Sequence, residues 1–427
     1  MIRHLFEELK KWKVSSNRKP LIIQGARQVG KTWLMKEFGR TEFEKVVYLN
    51  FESSTRLQKL FEADFEIDRI ISSIEIESKT KIEAKTTLLI FDEIQEASKG
   101  LTALKYFQEQ APAYFIIAAG SLLGVSIQKN ASFPVGKVDF LRLYPLSFIE
   151  FLENCNETNL AEAIKEKNWE VIGFFHDKLV EYLRLYYFIG GMPEVVANYI
   201  QEKNLTTTRA IQEKIILGYE NDFAKYAPND TVPKIKMVWN SIISQLAKEN
   251  RKFIYGQIKK GARAKDFENA INWLSDAGLV IKVNRINKPS LPLNAYIDYD
   301  SFKLFFVDIG LLNAIGNLEP QILLEKNTIL QEFKGALTEQ FVCQQLKITK
   351  ELFYWSAENA TAEIDFIIQQ KNELLPIEVK AEENLKSKSL KVFYEKYTPT
   401  FAIRTSMSKY RVETWLKNIP LYAIGEV

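Results

Sequence analysis

Apolar residues fall into short continuous runs in the first third of the chain, into helical spacing through the middle, and into runs again near the C-terminus. Pro20-Leu21-Ile22-Ile23, Val46 to Phe51, Thr87 to Phe91, Tyr114 to Ala119 and Phe140 to Leu143 each predict a buried strand. Leu5, Leu9 and Trp12 mark a helix before the first of these, and Trp33 to Phe38 a helix after it. Strands alternating with helices specify an α/β fold, a parallel sheet with helices on its faces. From Phe148 to Tyr226 the spacing is helical, with Phe148, Phe151 and Leu152 first and Leu179, Tyr182, Leu183 and Tyr186 later. The aromatic run Tyr186-Tyr187-Phe188 reads as core. Gly190-Gly191 interrupts the pattern, and Pro193 suits the first turn of a further helix.

Beyond it, Ile235 to Leu246 predicts an amphipathic helix, Phe253 to Lys260 a short element, and Arg263 to Ala277 a third helix leading into the strand Leu279 to Val283. Three helices and a hairpin read as a winged helix, with Ile286 to Tyr299 and its two prolines as wing or surface loop. Ala264, Phe267, Ala270, Ile271 and Leu274 line one face of the third helix and leave Arg263, Lys265 and Asn269 outward. Such a face suits a major groove or a contact between domains, and Asp266 and Glu268 dilute its charge. Lys303 to Leu312 reads as a strand and the start of a helix. A helix from Leu330 to Leu346 carries Glu339, and strands follow at Leu352 to Trp355, Glu363 to Ile368 and Leu375 to Lys380.

The chemistry begins at the end of the first strand. Gly25-Ala26-Arg27-Gln28-Val29-Gly30-Lys31-Thr32 fits the phosphate-binding pattern G-x-x-x-x-G-K-[ST] between a strand and a helix. The glycines let backbone N–H groups turn toward phosphate oxygens, Lys31 supplies a point charge for the β and γ phosphates, and Thr32 can place its hydroxyl on Mg²⁺. Asp92-Glu93 ends the Thr87 strand, where Asp92 would hold the Mg²⁺ shell and Glu93 would orient the attacking water. Ser121, just past the Tyr114 strand, is a candidate γ-phosphate sensor or a turn serine. ATP and Mg²⁺ are the expected cofactors, and the expected activity is an ATPase.

A length of 427 residues calls for two to four domains, and 46% hydrophobic with 26% charged residues is the composition of a globular protein. The net charge of +3 leaves DNA binding to a local surface. Cys155 and Cys343 stand apart and His4 and His176 are the only histidines, which predicts no structural disulfide and no histidine-rich zinc site. With no run suited to span a bilayer, the expectation is a cytoplasmic protein without a membrane partner.

Gly25 to Thr32, Phe91-Asp92-Glu93, Gly120-Ser121, Tyr144-Pro145-Leu146-Ser147-Phe148 and Gly190-Gly191-Met192-Pro193-Glu194 resemble a bacterial and archaeal family of AAA+ ATPases with a C-terminal domain of undefined function. The resemblance implies a P-loop AAA+ domain over 1–147, a helical lid-like region over 148–230, a winged-helix-like domain over 231–315 and a C-terminal domain over 316–427. Where that family has Gly-Arg-Val this chain reads Gly136-Lys137-Val138, so the arginine finger falls to Arg142 or to a neighbouring subunit of a homo-oligomer.

In the C-terminal stretch, period-two alternation puts Glu378 and Lys380 on one strand face, and a hairpin around Gln370 to Glu373 brings Asp365 beside them. Asp365 and Glu378 would hold Mg²⁺ and Lys380 would polarise a water, an arrangement able to cut a phosphodiester. The order Glu339, Asp365, Glu378-x-Lys380 looks like the PD-(D/E)XK nuclease superfamily and implies a restriction-endonuclease-like α/β fold. Two functions remain open: an ATPase coupled to a nuclease-like domain that binds or cleaves DNA, and a nucleotide-dependent regulatory switch whose inactive C-terminal fold binds a protein or nucleic acid.

Overall fold

The computed structural model describes residues 1–120, 136–248, 252–321, 331–357, 362–381 and 387–427. They form two compact units, one of residues 3–144 with 276–278, the other of residues 1–2, 145–275 and 279–427.

In the first unit, strands β1 (Leu21–Gln24), β2 (Lys45–Asn50), β3 (Thr87–Asp92), β4 (Phe115–Ala119) and β5 (Asp139–Arg142) make one sheet in the order β2-β3-β4-β1-β5. Every pair is parallel. β3 is buried at all its positions, as its unbroken apolar run requires of a strand covered on both faces. Helices α1 (Leu5–Val14), α2 (Lys31–Glu42), α3 (Ile67–Ser78) and α4 (Gly100–Gln110) supply the cover. In α3 the buried side chains are Ile67, Ile70, Ile71 and Ile74, the 0, 3, 4, 7 spacing of one helical face. They join Ile22, Leu49, Phe91 and Phe107 in a single core. The strand order sets the site: β4 lies between β1 and β3, with Ala119 level with both Ile23 and Asp92.

In the second unit helices occupy residues 148–276, among them α5 (Phe148–Asn154), α6 (His176–Ile189), α7 (Pro193–Glu202), α8 (Leu205–Tyr226), α9 (Val232–Leu246) and α10 (Ala264–Asp276). Tyr186, Tyr187 and Phe188 are buried, as a core stripe should be. In α10 the buried set is Phe267, Ala270, Ile271, Trp273 and Leu274, while Ala264 is exposed together with Arg263, Lys265 and Asn269. β6 (Val280–Ile286) and β7 (Ile297–Phe306) form the antiparallel hairpin expected of a wing. This hairpin is not a separate module. β6 also pairs in parallel with β8 (Phe353–Ser356), so it extends a mixed eight-stranded sheet of order β12-β13-β11-β10-β9-β8-β6-β7. The expected boundary at 315/316 falls between strands of this one sheet. Its remaining members are β9 (Glu363–Gln370), β10 (Glu373–Val379), β11 (Ala402–Ser406), β12 (Arg411–Val412) and β13 (Leu416–Pro420). The sheet packs on α12 (Gln331–Lys347), which follows α11 (Ile309–Ile315), and on α13 (Lys388–Tyr397).

The glycine pair at 190–191 is explained by a buried polar knot. A Cβ on Gly190 would lie 2.2 Å from Asp308 Oδ1, and one on Gly191 2.2 Å from the Leu146 carbonyl oxygen. Asp308, with no exposed surface, accepts from the Gly191 N–H at 2.6 Å, the Leu311 N–H at 3.1 Å and the Gln344 side-chain amide at 3.0 Å. Gln344 in turn accepts from the Ile309 N–H, and Gln345 from the Phe148 N–H. Thus α12 clamps the starts of α5 and α11 through two adjacent amides.

Burial raises the Asp308 carboxyl from 3.8 to about 6, against the hydrogen bonds that lower it. The folded state therefore binds the Asp308 proton more tightly than the unfolded state, so its contribution to stability is complete below pH 3.8 and is lost as pH rises through 6. Asp308→Asn does not titrate. Its stability deficit relative to wild type should shrink by about 2.5 kcal/mol between pH 4 and pH 7, most of a two-unit shift converted at 1.4 kcal/mol per unit. Urea denaturation at both pH values measures this, and a pH-independent deficit refutes it.

Candidate functional site

The phosphate-loop sequence takes a cradle conformation in which Gln28 and Gly30 have φ of +66° and +92°, with Gly30 capping the start of α2. Alternation of this kind turns successive N–H groups to one side, where the helix N-terminus also points. Gly25 has φ +151°, and a Cβ there would lie 2.2 Å from the Leu143 carbonyl oxygen of the neighbouring β5 chain. No side chain fits. Ala26 and Val29 are buried, while Arg27 lies 4.0 Å from Glu52 at the half-exposed rim.

Lys31 is buried and donates from Nζ to the carbonyl oxygens of Gly25 and Ala26, each at 2.8 Å. Desolvation pushes its ammonium down to about 8, with the Glu93 and Asp92 charges opposing that shift. Thr32 Oγ1 donates to Asp92 Oδ2 at 2.7 Å, and the Tyr48 hydroxyl donates to the same oxygen at 2.9 Å. The end of β3 is thereby tied to the start of α2 across 60 residues of chain. Two hard oxygen donors side by side fit Mg²⁺. Glu93, the next residue, is held at φ +52°, a left-handed conformation rare outside glycine, and its Oε2 accepts from the Gln95 amide at 2.6 Å. Ser121 lies outside the described residues; Gly120 before it follows directly on Ala119, level with Asp92.

Two contributors escaped the sequence reading. Arg3, 6% exposed, donates to the Val29 carbonyl at 3.0 Å and also to the Tyr144 carbonyl, bracing the loop against the chain leaving β5. Nothing in a lone arginine near the N-terminus signals this. Tyr48 was legible only as a strand residue.

In the C-terminal sheet, β9 and β10 are antiparallel and joined through Lys371-Asn372, with Gln370 opposite Glu373 and Phe366 opposite Ile377. Continuing that register by one step sets Glu378 opposite Asp365, on one face. Glu378 is 5% exposed; its Oε1 lies 2.8 Å from Lys380 Nζ, and among the described residues its Oε2 has no hydrogen-bond partner. Burial raises its carboxyl above the ordinary range, Lys380 opposes this, and the Asp365 charge adds to it. Asp365 Oδ2 accepts from the Val379 N–H at 2.8 Å, so its carboxylate sits against the backbone between Glu378 and Lys380. Glu339, also buried, has Oε2 3.8 Å from Nζ of Lys303 on β7. Lys303 has no exposed surface, and its ammonium also donates to Glu363 on β9. Neither Lys303 nor Glu363 stood out in the sequence. Among the described residues no three Asp, Glu, His or Cys side chains gather closely enough for a metal ion. The orphaned Glu378 oxygen beside Asp365 fits one divalent ion on two protein carboxylates, short of a crowded cluster that includes Glu339.

Comparison with known proteins divides the chain in three. Residues 17–152 match the profile of the AAA domain, residues 180–322 a domain of unknown function (DUF8612), and residues 334–424 another domain of unknown function (DUF4143). No curated protein matches the sequence. Among solved structures, a Walker-type ATPase of Pyrococcus abyssi aligns at 14% identity and a TM-score of 0.47, over 74% of this chain and 96% of that one. The ORC1 protein of Aeropyrum pernix, solved in complex with DNA, aligns at 12% identity and a TM-score of 0.29, over 74% and 93%. The AAA profile spans the phosphate loop, Asp92, Glu93 and the whole parallel sheet. No helix among the described residues is long and apolar enough to cross a membrane.

Proposed function

We propose that this chain, whose residues 17–152 form a P-loop ATPase domain of the AAA type, hydrolyses ATP with Mg²⁺ and couples that turnover to a nuclease-like C-terminal fold acting on DNA. The observation that carries the reading is the hydrogen bond from Thr32 to Asp92, which joins two motifs that are useful together only around a nucleotide-bound cation. Backbone N–H groups of residues 25–32 would receive the β and γ phosphates. Lys31 would exchange its two loop carbonyls for phosphate oxygens, a net gain because an ammonium bonds an anion more strongly than an amide oxygen. Thr32 and Asp92 would hold Mg²⁺, which would supply charge neutralisation for the phosphates. Glu93 is the group that orients and deprotonates water, and Ser121 the γ-phosphate contact. Arg142, exposed at the end of β5, or an arginine of a second copy would act as the finger.

Glu93→Gln tests the hydrolytic assignment. The amide keeps the size and the hydrogen-bonding capacity while removing the base, so phosphate release should fall at least about 100-fold with ATP affinity unchanged within a few-fold. Undiminished phosphate release would remove Glu93 from that role.

For the C-terminal fold, Asp365 and Glu378 are the ion-holding pair, Lys380 positions water, and Glu339 supports the site from α12. A second reading, the regulatory switch, draws on a specific observation: the Lys380–Glu378 and Lys303–Glu339 pairs neutralise carboxylates that catalysis would need.

A further inference from the structure

We propose that Lys303 is a built-in cation of the C-terminal carboxylate site, occupying the position between Glu339 and Glu363 and so restricting the site to one divalent ion, at Asp365 and Glu378. This rests on the reading of Asp365 and Glu378 as the ion-holding pair.

The argument begins with burial. A lysine with no exposed surface, here on the edge strand β7, is stable only where its charge is compensated. Lys303 has that compensation on two sides: Glu363 Oε1 accepts its hydrogen bond, and Glu339 Oε2 lies 3.8 Å away. Beneath the ammonium, the Tyr354 ring centroid is 5.0 Å distant, a cation–π contact that favours retention of the charge. These partners come from three places, β9, β8 and α12, and α12 packs against both β7 and β10. Along β9, Glu363 is two residues from Asp365 and therefore on the same face. Lys303 thus stands at one end of a row whose other end is Asp365 and Glu378.

The charges decide what the row can take. When ionised, Glu339, Glu363, Asp365 and Glu378 set four negative charges against the two positive charges of Lys303 and Lys380, a difference that one divalent cation would balance. Among the described residues the buried Glu378 Oε2, at the Asp365 end, lacks a hydrogen-bond partner within ordinary distance, with Ser387 near enough to lower its carboxyl. At the Lys303 end a fixed ammonium stands where a second ion would have to sit, and Glu339 is engaged with it. Lys303 belongs to the segment 180–322 and its partners Glu339 and Glu363 to the segment 334–424, so one family-defined segment completes the site of the other.

The test is Mn²⁺ binding to the nucleotide-free full chain, followed by calorimetry and by electron paramagnetic resonance, with wild type and Lys303→Met compared so that any ion at the phosphate loop cancels. The expected result is one additional Mn²⁺ per chain in Lys303→Met, and a thermal midpoint lowered in metal-free buffer and restored by Mn²⁺. Lys303→Arg keeps the charge and should gain no ion. Equal stoichiometry in wild type and Lys303→Met overturns the proposal. Should Lys303→Met fail to fold, Glu363→Gln in the otherwise unaltered chain decides: with Glu363 held by Lys303, Mn²⁺ affinity stays within about twofold, and a tenfold or larger loss makes Glu363 an ion ligand and overturns the proposal. A wild type with no C-terminal Mn²⁺ beside a Lys303→Met that binds one leaves Lys303 as the internal cation and removes the Asp365/Glu378 reading instead.

Discussion

Lys31→Ala should lose ATP binding, with affinity falling on the order of 1,000-fold, while the protein stays folded. The loss follows from what the ammonium is set up to reach. Hydrogen bonds to charged groups are worth about 1.5–3 kcal/mol each, and Lys31 would make two to the β and γ phosphates in a loop already shielded from water. Asp92 and Glu93 would then face the nucleotide without that countercharge. Folding should be spared for a separate reason. Among the described residues Lys31 Nζ bonds only the carbonyls of Gly25 and Ala26, and burial already works against its charge, lowering its pKa to about 8, so removing the amine also removes a desolvation cost. Calorimetric titration of ATP with a parallel thermal melt separates the two effects. Affinity equal to wild type would remove Lys31 from the site.

That result would test a part of the protein that was plain in its sequence. The loop motif, the strand before it and the acidic pair ending β3 each have a local signature, because one strand and one turn carry the whole geometry. The sheet order is less local. That β4 separates β1 from β3 depends on crossovers that no residue announces, and Arg3 braces Val29 through a contact set by tertiary packing alone.

The C-terminal sheet was read in part. Asp365, Glu378 and Lys380 were visible through strand alternation and a two-residue turn, both short-range features. β11 and β13 were not, because their buried positions include Arg404, Thr405, Ser406 and Asn418. Arg404 Nε and the Ser406 hydroxyl both donate to Asn418 Oδ1, so these strands are buried on paired polar groups that a hydrophobic pattern does not reveal. The merging of the β6–β7 hairpin with this sheet is likewise invisible to local pattern. A hairpin looks the same whether its outer edge meets water or another strand.

Asp365→Asn separates the two proposed activities. Asn keeps an oxygen to accept the Val379 N–H, so the turn into Lys380 should hold, whereas Asp365→Ala would leave that donor unmatched and confuse a folding defect with a chemical one. The charge is what changes. With one of two ion-holding carboxylates gone, Mn²⁺ affinity at the C-terminal site should fall at least tenfold and Mg²⁺-dependent cleavage of linear or plasmid DNA about 1,000-fold or more. ATP turnover should stay within twofold, because Asp365 and the phosphate loop belong to different compact units, each with its own sheet. Loss of ATP turnover in Asp365→Asn would show that the sites are not separable. If wild type binds ATP and hydrolyses it yet leaves both DNA substrates intact, the Glu378–Lys380 and Lys303–Glu339 pairs gain a different meaning. They would then be the internal ion pairs of a binding module, and nucleotide state in the first unit would set what the second one holds.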